Sequence, residues 1–245
     1  LLVDTSLYST GTAVDARLFG QLAENVSWTN RAGVVVDRYR LSRSAGDGWS
    51  AGATSSQVLV SGDGYAECHV PETTKAVMFG LSHGDGDQGW ADIDYAIYAG
   101  ADGSLLVFEG GVVRGSIGTY VAGDRLRVSV EGGVVSYSLN GSVVYTSGVA
   151  PTYPLLVDTS LYSSGVTLED VVFFGNVAES VTWTNQVEVT SDGMSLTRPT
   201  GDGWNAGAVS RQALAGGDGA AEYEVADSAS NLFSGLSHGD TDQGS

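Results

Sequence analysis

The chain is poor in the residues that most directly reveal function. Its 245 residues include one cysteine, Cys68. No internal disulfide can form, so the fold must rest on packing rather than on covalent staples. Only 11 residues are basic against 29 acidic ones, a net charge of −18. Such a chain repels nucleic acid and anionic membrane surfaces, which excludes a nucleic-acid-binding role. No apolar run reaches the ~18 residues a helix needs to span a bilayer, so membrane insertion is not expected. Proline is scarce, with 4 residues, and no stretch shows a helical period. There is no G-x-S-x-G elbow, and the spacing of serine, histidine and aspartate supports no triad.

Glycine and repetition are abundant instead. The 35 glycines fall in turn dipeptides such as Asp-Gly, Asn-Gly and Gly-Gly rather than in a collagen period. Hydrophobic residues make up 42%, enough for real cores. The phrase LLVDTSLYS at 1–9 returns at 155–163. VSWTN (26–30) returns as VTWTN (181–185), GDGWSAGATSSQ (46–57) as GDGWNAGAVSRQ (201–212), and GLSHGDGDQG (80–89) as GLSHGDTDQG (235–244). Trp183 minus Trp28 is 155, and so is Trp204 minus Trp49. The opening phrase is offset by 154, with one residue inserted between Gly165 and Phe174. A period of about 155 is too long for a solenoid unit and right for a whole domain. The expected organisation is a window on a tandem array. Residues 1–20 are the C-terminal strands of a preceding module, 21–175 a complete module, and 176–245 the N-terminal part of a following one.

Within the complete module the hydrophobic period is 2. In DRLRVSVEG, Leu126, Val128 and Val130 point one way, and Arg125, Arg127, Ser129 and Glu131 the other, the mark of a half-buried strand. Gly132-Gly133 and Asn140-Gly141 predict two hairpin turns. Further strands are expected at 53–60, 65–70, 76–82, 92–98, 104–108, 112–117, 154–160 and 166–174. Many short strands at this spacing predict an all-β, two-sheet antiparallel β-sandwich. GDRLRVSVEGGVVSYSLNGSVVYTS followed by PTYPLLVDTSLYS resembles the concanavalin A-like jelly roll, with the SPRY and laminin-G branches carrying a comparable pattern. The stretch from about 24 to 175 is also similar to long tandem repeats in large bacterial surface proteins. The resemblance implies a jelly roll, an extracellular or cell-surface location, and glycans or proteins as ligands. A shared fold does not fix the site.

The densest polar stretch is SHGDGDQGWADID, residues 82–94. It holds Asp85, Asp87, Asp92 and Asp94, which repel one another unless a cation neutralises them. Calcium, a hard cation taking oxygen ligands from a flexible loop, is the expected partner; a solvated acidic loop is the alternative. The repeat keeps Asp240 and Asp242. His83, recurring as His238, and Trp90 are the candidate ligand-binding residues. His83 is expected to fix its loop through a backbone carbonyl, and Trp90 either stacks on a sugar or anchors the loop. Asp92 and Asp94, read as two apart on one strand face, superficially fit the roughly 5–5.5 Å carboxylate pair of a retaining glycosidase. The E-x-D-x-E type pattern is absent, so the reading is non-catalytic. Cys68 becomes Tyr223 in the second copy and is expected to be a small buried side chain. The apolar end strands must be covered, and neighbouring repeats or chains of the same protein are the expected partners, in head-to-tail contacts that build a fibre, stalk or adhesin shaft.

Overall fold

The computed structural model describes residues 1–192, 195–214, 219–226 and 231–239, without the side chains of residues 20–23 and 179. The described residues contain no helix and twenty-one strands; no helix is therefore long and apolar enough to cross a membrane. The chain opens with β1 (Leu2–Leu7) and β2 (Ala13–Asn25). There follow β3 (Trp28–Ala32), β4 (Val34–Asp37), β5 (Arg40–Arg43), the long β6 (Gly52–Val70), β7 (Val77–Ser82), β8 (Tyr95–Ala99), β9 (Ser104–Glu109) and β10 (Val112–Thr119). The predicted meander is β11 (Asp124–Glu131), β12 (Val134–Leu139) and β13 (Ser142–Thr146), and β14 (Leu155–Leu161) and β15 (Thr167–Ser180) succeed it. The last strands are β16 (Trp183–Val187), β17 (Thr190–Ser191), β18 (Ser195–Thr197), β19 (Gly207–Ala213), β20 (Gly219–Val225) and β21 (Leu232–Ser237).

These strands form two compact units, a central one of Ala23–Asn176 and a split one of Leu1–Leu22 with Val177–Ser245. The central unit is the expected two-sheet antiparallel sandwich, with the long crossings of a jelly roll. The first half of β6 pairs with β3 and β14, and β7, β8, β9 and β10 continue that sheet. The second half of β6 pairs with β11, which leads through β12 to β13; on its other side stand β15, β5 and β4. The expected strands 53–60 and 65–70 are thus one continuous strand. It passes from sheet to sheet at exposed Ser61, Gly62 and Asp63. Both predicted hairpins form. Gly132-Gly133 adopts φ +56° and +78°, and Asn140-Gly141 φ +51° and +82°, the left-handed pair that matches strand twist. Leu126, Val128, Val130, Val135 and Tyr137 are buried between the sheets as the alternation requires.

The split unit repeats part of this plan. One sheet runs β16-β19-β1-β21, and β17, β18, β2 and β20 pair in that order to make a second. The order β3-β6-β14-β7 of the central unit is the counterpart of the first. Here the structure corrects an expectation. The two end segments find their partners in each other, within one chain, rather than in neighbouring chains or repeats. The physical reason is that residues 1–22 carry the strand sequence that 177–245 needs. Val3, Leu7, Val14 and Leu18 are at most 1% exposed, in one core with Trp183, Leu196 and Ala208.

Each unit has a buried arginine that sequence reading passed over. Arg43 Nη1 donates to the carbonyls of Gly48, at 2.7 Å, and of Leu161, at 2.5 Å, and its Nε to Gly46. Arg198, at the equivalent place, donates to Gly203 at 2.5 Å, Leu7 at 2.7 Å and Thr200 at 3.2 Å. Each guanidinium thereby fastens a Gly-Asp-Gly-Trp loop to the end of the LLVDTSLYS strand. Trp49 then meets Tyr162, and Trp204 meets Tyr8, both with ring centroids 4.9 Å apart. Removing a guanidinium leaves several carbonyls without their donor, each costing about 1–3 kcal/mol where buried. Arg43→Met is expected to destabilise the central unit and Arg198→Met the split unit, each by roughly 3 kcal/mol or more. Hydrogen exchange on the intact chain would show faster opening of β14 in the first variant and of β1 in the second.

Candidate metal site and its loop

The loop 83–94 lies on the outer face of the β6-β14-β7-β8 sheet. Its anchor is Ile93, which is 0% exposed and packs with Met78 and Ala96. Trp90 packs against this cluster and meets Phe108 edge-on at 5.5 Å, so its ring is half-buried in the loop's own support. Ser160 Oγ donates to Gln88 O at 2.9 Å, and Gln88 Nε2 to Asn30 O at 3.3 Å. The loop is therefore held down from both sides.

Three carboxylates converge beneath it. One oxygen each of Asp85, Asp92 and Asp158 lies within 4.8 Å of the other two. Asp85 Oδ2 accepts from Asn30 Nδ2 at 2.8 Å and Thr54 Oγ1 at 3.2 Å. Asp92 Oδ2 accepts from the amides of Gly86 and Asp87, both at 3.0 Å, so the loop backbone wraps around it. Asp158, on β14, accepts from Ser82 Oγ at 2.8 Å. The other oxygens of the two loop aspartates, Asp85 Oδ1 and Asp92 Oδ1, are buried and have no hydrogen-bond partner among the described residues. Polar atoms so placed are costly to leave unpaired. Charges this close also repel by a few kcal/mol per pair at an effective dielectric of about 20. The cluster is therefore short of positive charge and of donors at one point.

The electrostatics of Asp158 say the same. Burial is the main cause that pushes its pKa up to about 8; the Ser82 hydroxyl acts the other way, and the neighbouring charges of Asp92 and Asp85 raise it further. Asp158 is 1% exposed.

Of the four aspartates singled out in the sequence, the structure brings Asp85 and Asp92 together and sends the other two elsewhere. Asp87 Oδ1 accepts from Gly89 N at 2.5 Å, a turn within the exposed loop. Asp94 Oδ2 accepts from His83 N at 2.7 Å. The strand expected at 92–98 begins only at Tyr95, so Asp92 and Asp94 share no strand face and form no glycosidase-like pair; Ile93 turns inward to pin the loop. The exposed His83 places Nδ1 3.1 Å from the Pro154 carbonyl, outside the carboxylate cluster. Asp158 was not among the expected site residues, because LLVDTSLYS marks a repeat and a strand and not an acidic site. The available signal was an acid amid the apolar residues of a strand, recurring as Asp4. Asp240 and Asp242 lie outside the described residues. Asp4 faces Val209 where Asp158 faces Thr54. A hollow of about 390 Å³ in the split unit, lined by Asp15, Arg17, Tyr223 and others, includes no residue expected from the sequence.

No family model matches the chain, and no curated relative does. Among solved structures, the chain is similar to a human SPRY domain, at 17% identity over 60% of this chain and 97% of that one, with a TM-score of 0.48. It is likewise similar to the TRIM65 PSpry domain, at 14% identity over 60% and 91%, with a TM-score of 0.49. The potassium-bound Emp46p carbohydrate recognition domain is similar at 12% identity over 62% and 88%, with a TM-score of 0.46.

The raised Asp158 sets a pH dependence in the absence of cation. An ordinary aspartate ionises near about 4. Between that pH and about 8, the folded chain holds a proton that the unfolded chain has released. Stability is therefore fully present below the lower value and is lost as pH rises through the upper one. With chelator present, urea unfolding is expected to show a weaker central unit on the alkaline side than at mildly acidic pH. Asp158→Asn should flatten that slope and exceed the wild type in alkaline buffer.

Proposed function

We propose that the chain is a non-catalytic, extracellular or cell-surface binding module whose central unit holds calcium through Asp85, Asp92 and Asp158. The ion would set loop 83–94 for a carbohydrate or protein ligand. The observation that carries this reading is the pair of buried, unpartnered carboxylate oxygens, Asp85 Oδ1 and Asp92 Oδ1, beside Asp158. The donor set is all oxygen, with no histidine or cysteine among it, which suits a hard cation rather than zinc or copper. A glycine-rich loop adapts to the irregular shell of calcium more readily than to the strict octahedron of magnesium. Weak sites, with Kd on the order of 10⁻⁴–10⁻³ M, are typical of extracellular modules. The exposed rim of the loop, with His83 and Asp87, is the proposed ligand face, and Trp90 its support. The carboxylates converge on one covered point instead of flanking an open cleft, which favours binding over catalysis.

A second reading has its own observation. β1 and β14, with one sequence, occupy matching positions in the two units. A repeat completed in this way suits a fibre, stalk or adhesin shaft built from many copies.

Calorimetric titration of the intact chain with millimolar calcium decides the ion. Heat is expected from the wild type and from Asp87→Asn, and its loss from Asp92→Asn and Asp158→Asn. At a hundred times Kd the gain is about 2.7 kcal/mol, or roughly 5–10 °C in the melting temperature of a unit this size. No heat, with a melting temperature unmoved by chelator, would leave a solvated acidic loop. A glycan array probed with and without chelator tests the ligand class.

A further inference from the structure

Asn140 alone among the asparagines is followed by glycine. Both residues are exposed, at the turn between β12 and β13. An asparagine before glycine carries a latent reaction, because glycine has no side chain to shield its backbone nitrogen from the asparagine amide carbon. Away from its chain neighbours, a Cβ on Gly141 would meet only Arg125 Nη2, at 3.9 Å, so the approach is uncrowded. The fold nevertheless holds this amide at both ends. Asn140 Nδ2 donates to Asp124 Oδ1 at 2.8 Å, and Asn140 Oδ1 accepts from Arg125 N at 3.0 Å. These partners fix which way the amide points, since a carboxylate only accepts and a backbone N–H only donates. The backbone N of Asn140 donates to Arg125 O at 2.9 Å. Asp124 is itself tied down, its Oδ2 accepting from Val121 N at 2.8 Å. The start of β11 thus grips the turn. The neighbouring hairpin forms without such a grip: Gly132-Gly133 has no side chain to hold, and Gly132 N donates to Asp63 Oδ1 at 2.8 Å instead.

We propose that Asn140 is a guarded deamidation site, and that its conversion releases the β12–β13 turn from β11. In the reaction Gly141 N gives its proton to solvent base and attacks Asn140 Cγ. The new N–Cγ bond closes a five-membered imide. The Cγ–Nδ2 bond breaks, and Nδ2 leaves as ammonia after taking a proton from solvent. Water then opens the ring at either carbonyl and leaves aspartate or isoaspartate. One water is consumed and one ammonia released, with no oxidant, reductant or cofactor. While Asp124 and Arg125 hold the amide, Cγ is kept from turning to Gly141 N. The reaction therefore waits for the turn to open locally. Its product reverses the grip. Where Nδ2 donated, a carboxylate oxygen faces Asp124 Oδ1, and two like charges replace a hydrogen bond. The step is one-way, because the donor that closed the clasp has left the molecule.

The intact chain is aged in mildly alkaline buffer with and without denaturant, and peptide mapping by mass spectrometry counts aspartate and isoaspartate at position 140. Conversion is expected to be at least about tenfold slower in the folded chain, where local opening must come first. Equal rates overturn the guard, and no conversion in denaturant overturns the site. Asp124→Ala, with circular dichroism confirming its fold, should convert several times faster than the folded wild type. A rate equal to the wild type's shows that Asp124 does not hold the amide and overturns the proposal. Asp124→Ser, which keeps a hydroxyl for Val121 N, takes its place if that variant does not fold, with the same two outcomes. Asn140→Asp stands for the product. The backbone amides of residues 125 and 140 should exchange with deuterium faster in it than in the wild type. Combining it with Asp124→Asn, which swaps donor and acceptor, should restore their protection. Unchanged exchange in the single variant, or no recovery in the pair, overturns the release of the turn.

Discussion

Everything characteristic of the central unit passes through one strand that arrives late. β14 lies between β6 and β7, so that sheet stays open until residues 155–161 insert. The inserted strand brings Asp158 to the carboxylate cluster, Ser160 to the loop above it, Leu161 O to Arg43 and, just beyond, Tyr162 to Trp49. Such a strand carries a high contact order, and its pairing must follow closure of a long loop. The same constraint acts more strongly in the split unit, where the inserted strand and its slot stand at opposite ends of the sequence. The repeated LLVDTSLYS is therefore the piece without which neither first sheet is continuous.

The acidic character of the chain has two different outcomes. Most carboxylates sit at the surface or pair locally, as Glu67 does with Arg127 at 2.7 Å and Glu169 with Arg40 at 2.8 Å. Glu109 shows how a buried one is managed: it accepts from Tyr137 Oη at 3.0 Å and is met by Arg114 at 3.0 Å. Asp85, Asp92 and Asp158 have no such cation among the described residues. Their partners are hydroxyls, one amide side chain and backbone N–H groups, which orient the carboxylates without neutralising them. The contrast between Glu109 and this trio is the strongest internal reason to regard the trio as built for something else.

The architecture was largely legible because alternation and turn chemistry act locally. DRLRVSVEG, Gly132-Gly133 and Asn140-Gly141 state their strand faces and turns without outside help. The repeat was legible as text, and its offset of 155 reappears in the register of the strands. What escaped was what depends on distant partners. Ser61-Gly62-Asp63 reads as a turn, and only the second sheet shows it to be a crossing within one strand. Asp92-Ile93-Asp94 has strand alternation, but Ile93 is claimed by Met78 and Ala96, which draws the stretch into a loop. Asp158 and Arg43 stand alone in the sequence, and each gains its meaning from distant residues: Asp158 from Ser82, Asp85 and Asp92, and Arg43 from the carbonyl of Leu161. The site was half legible for this reason: the loop advertises its aspartates, while the strand that completes the trio does not.

Cys68 is 0% exposed, in the half of β6 opposite Leu126. Burial, followed by the charge of Glu67, raises its thiol pKa well above the usual value. A thiol so held is inert to oxidants and alkylating reagents until the strands around it separate. It is a built-in clock for one unit. The rate at which a thiol reagent labels the intact chain measures how often the central sandwich opens, and the tyrosine at the sister position, Tyr223, keeps the split unit silent in the same record.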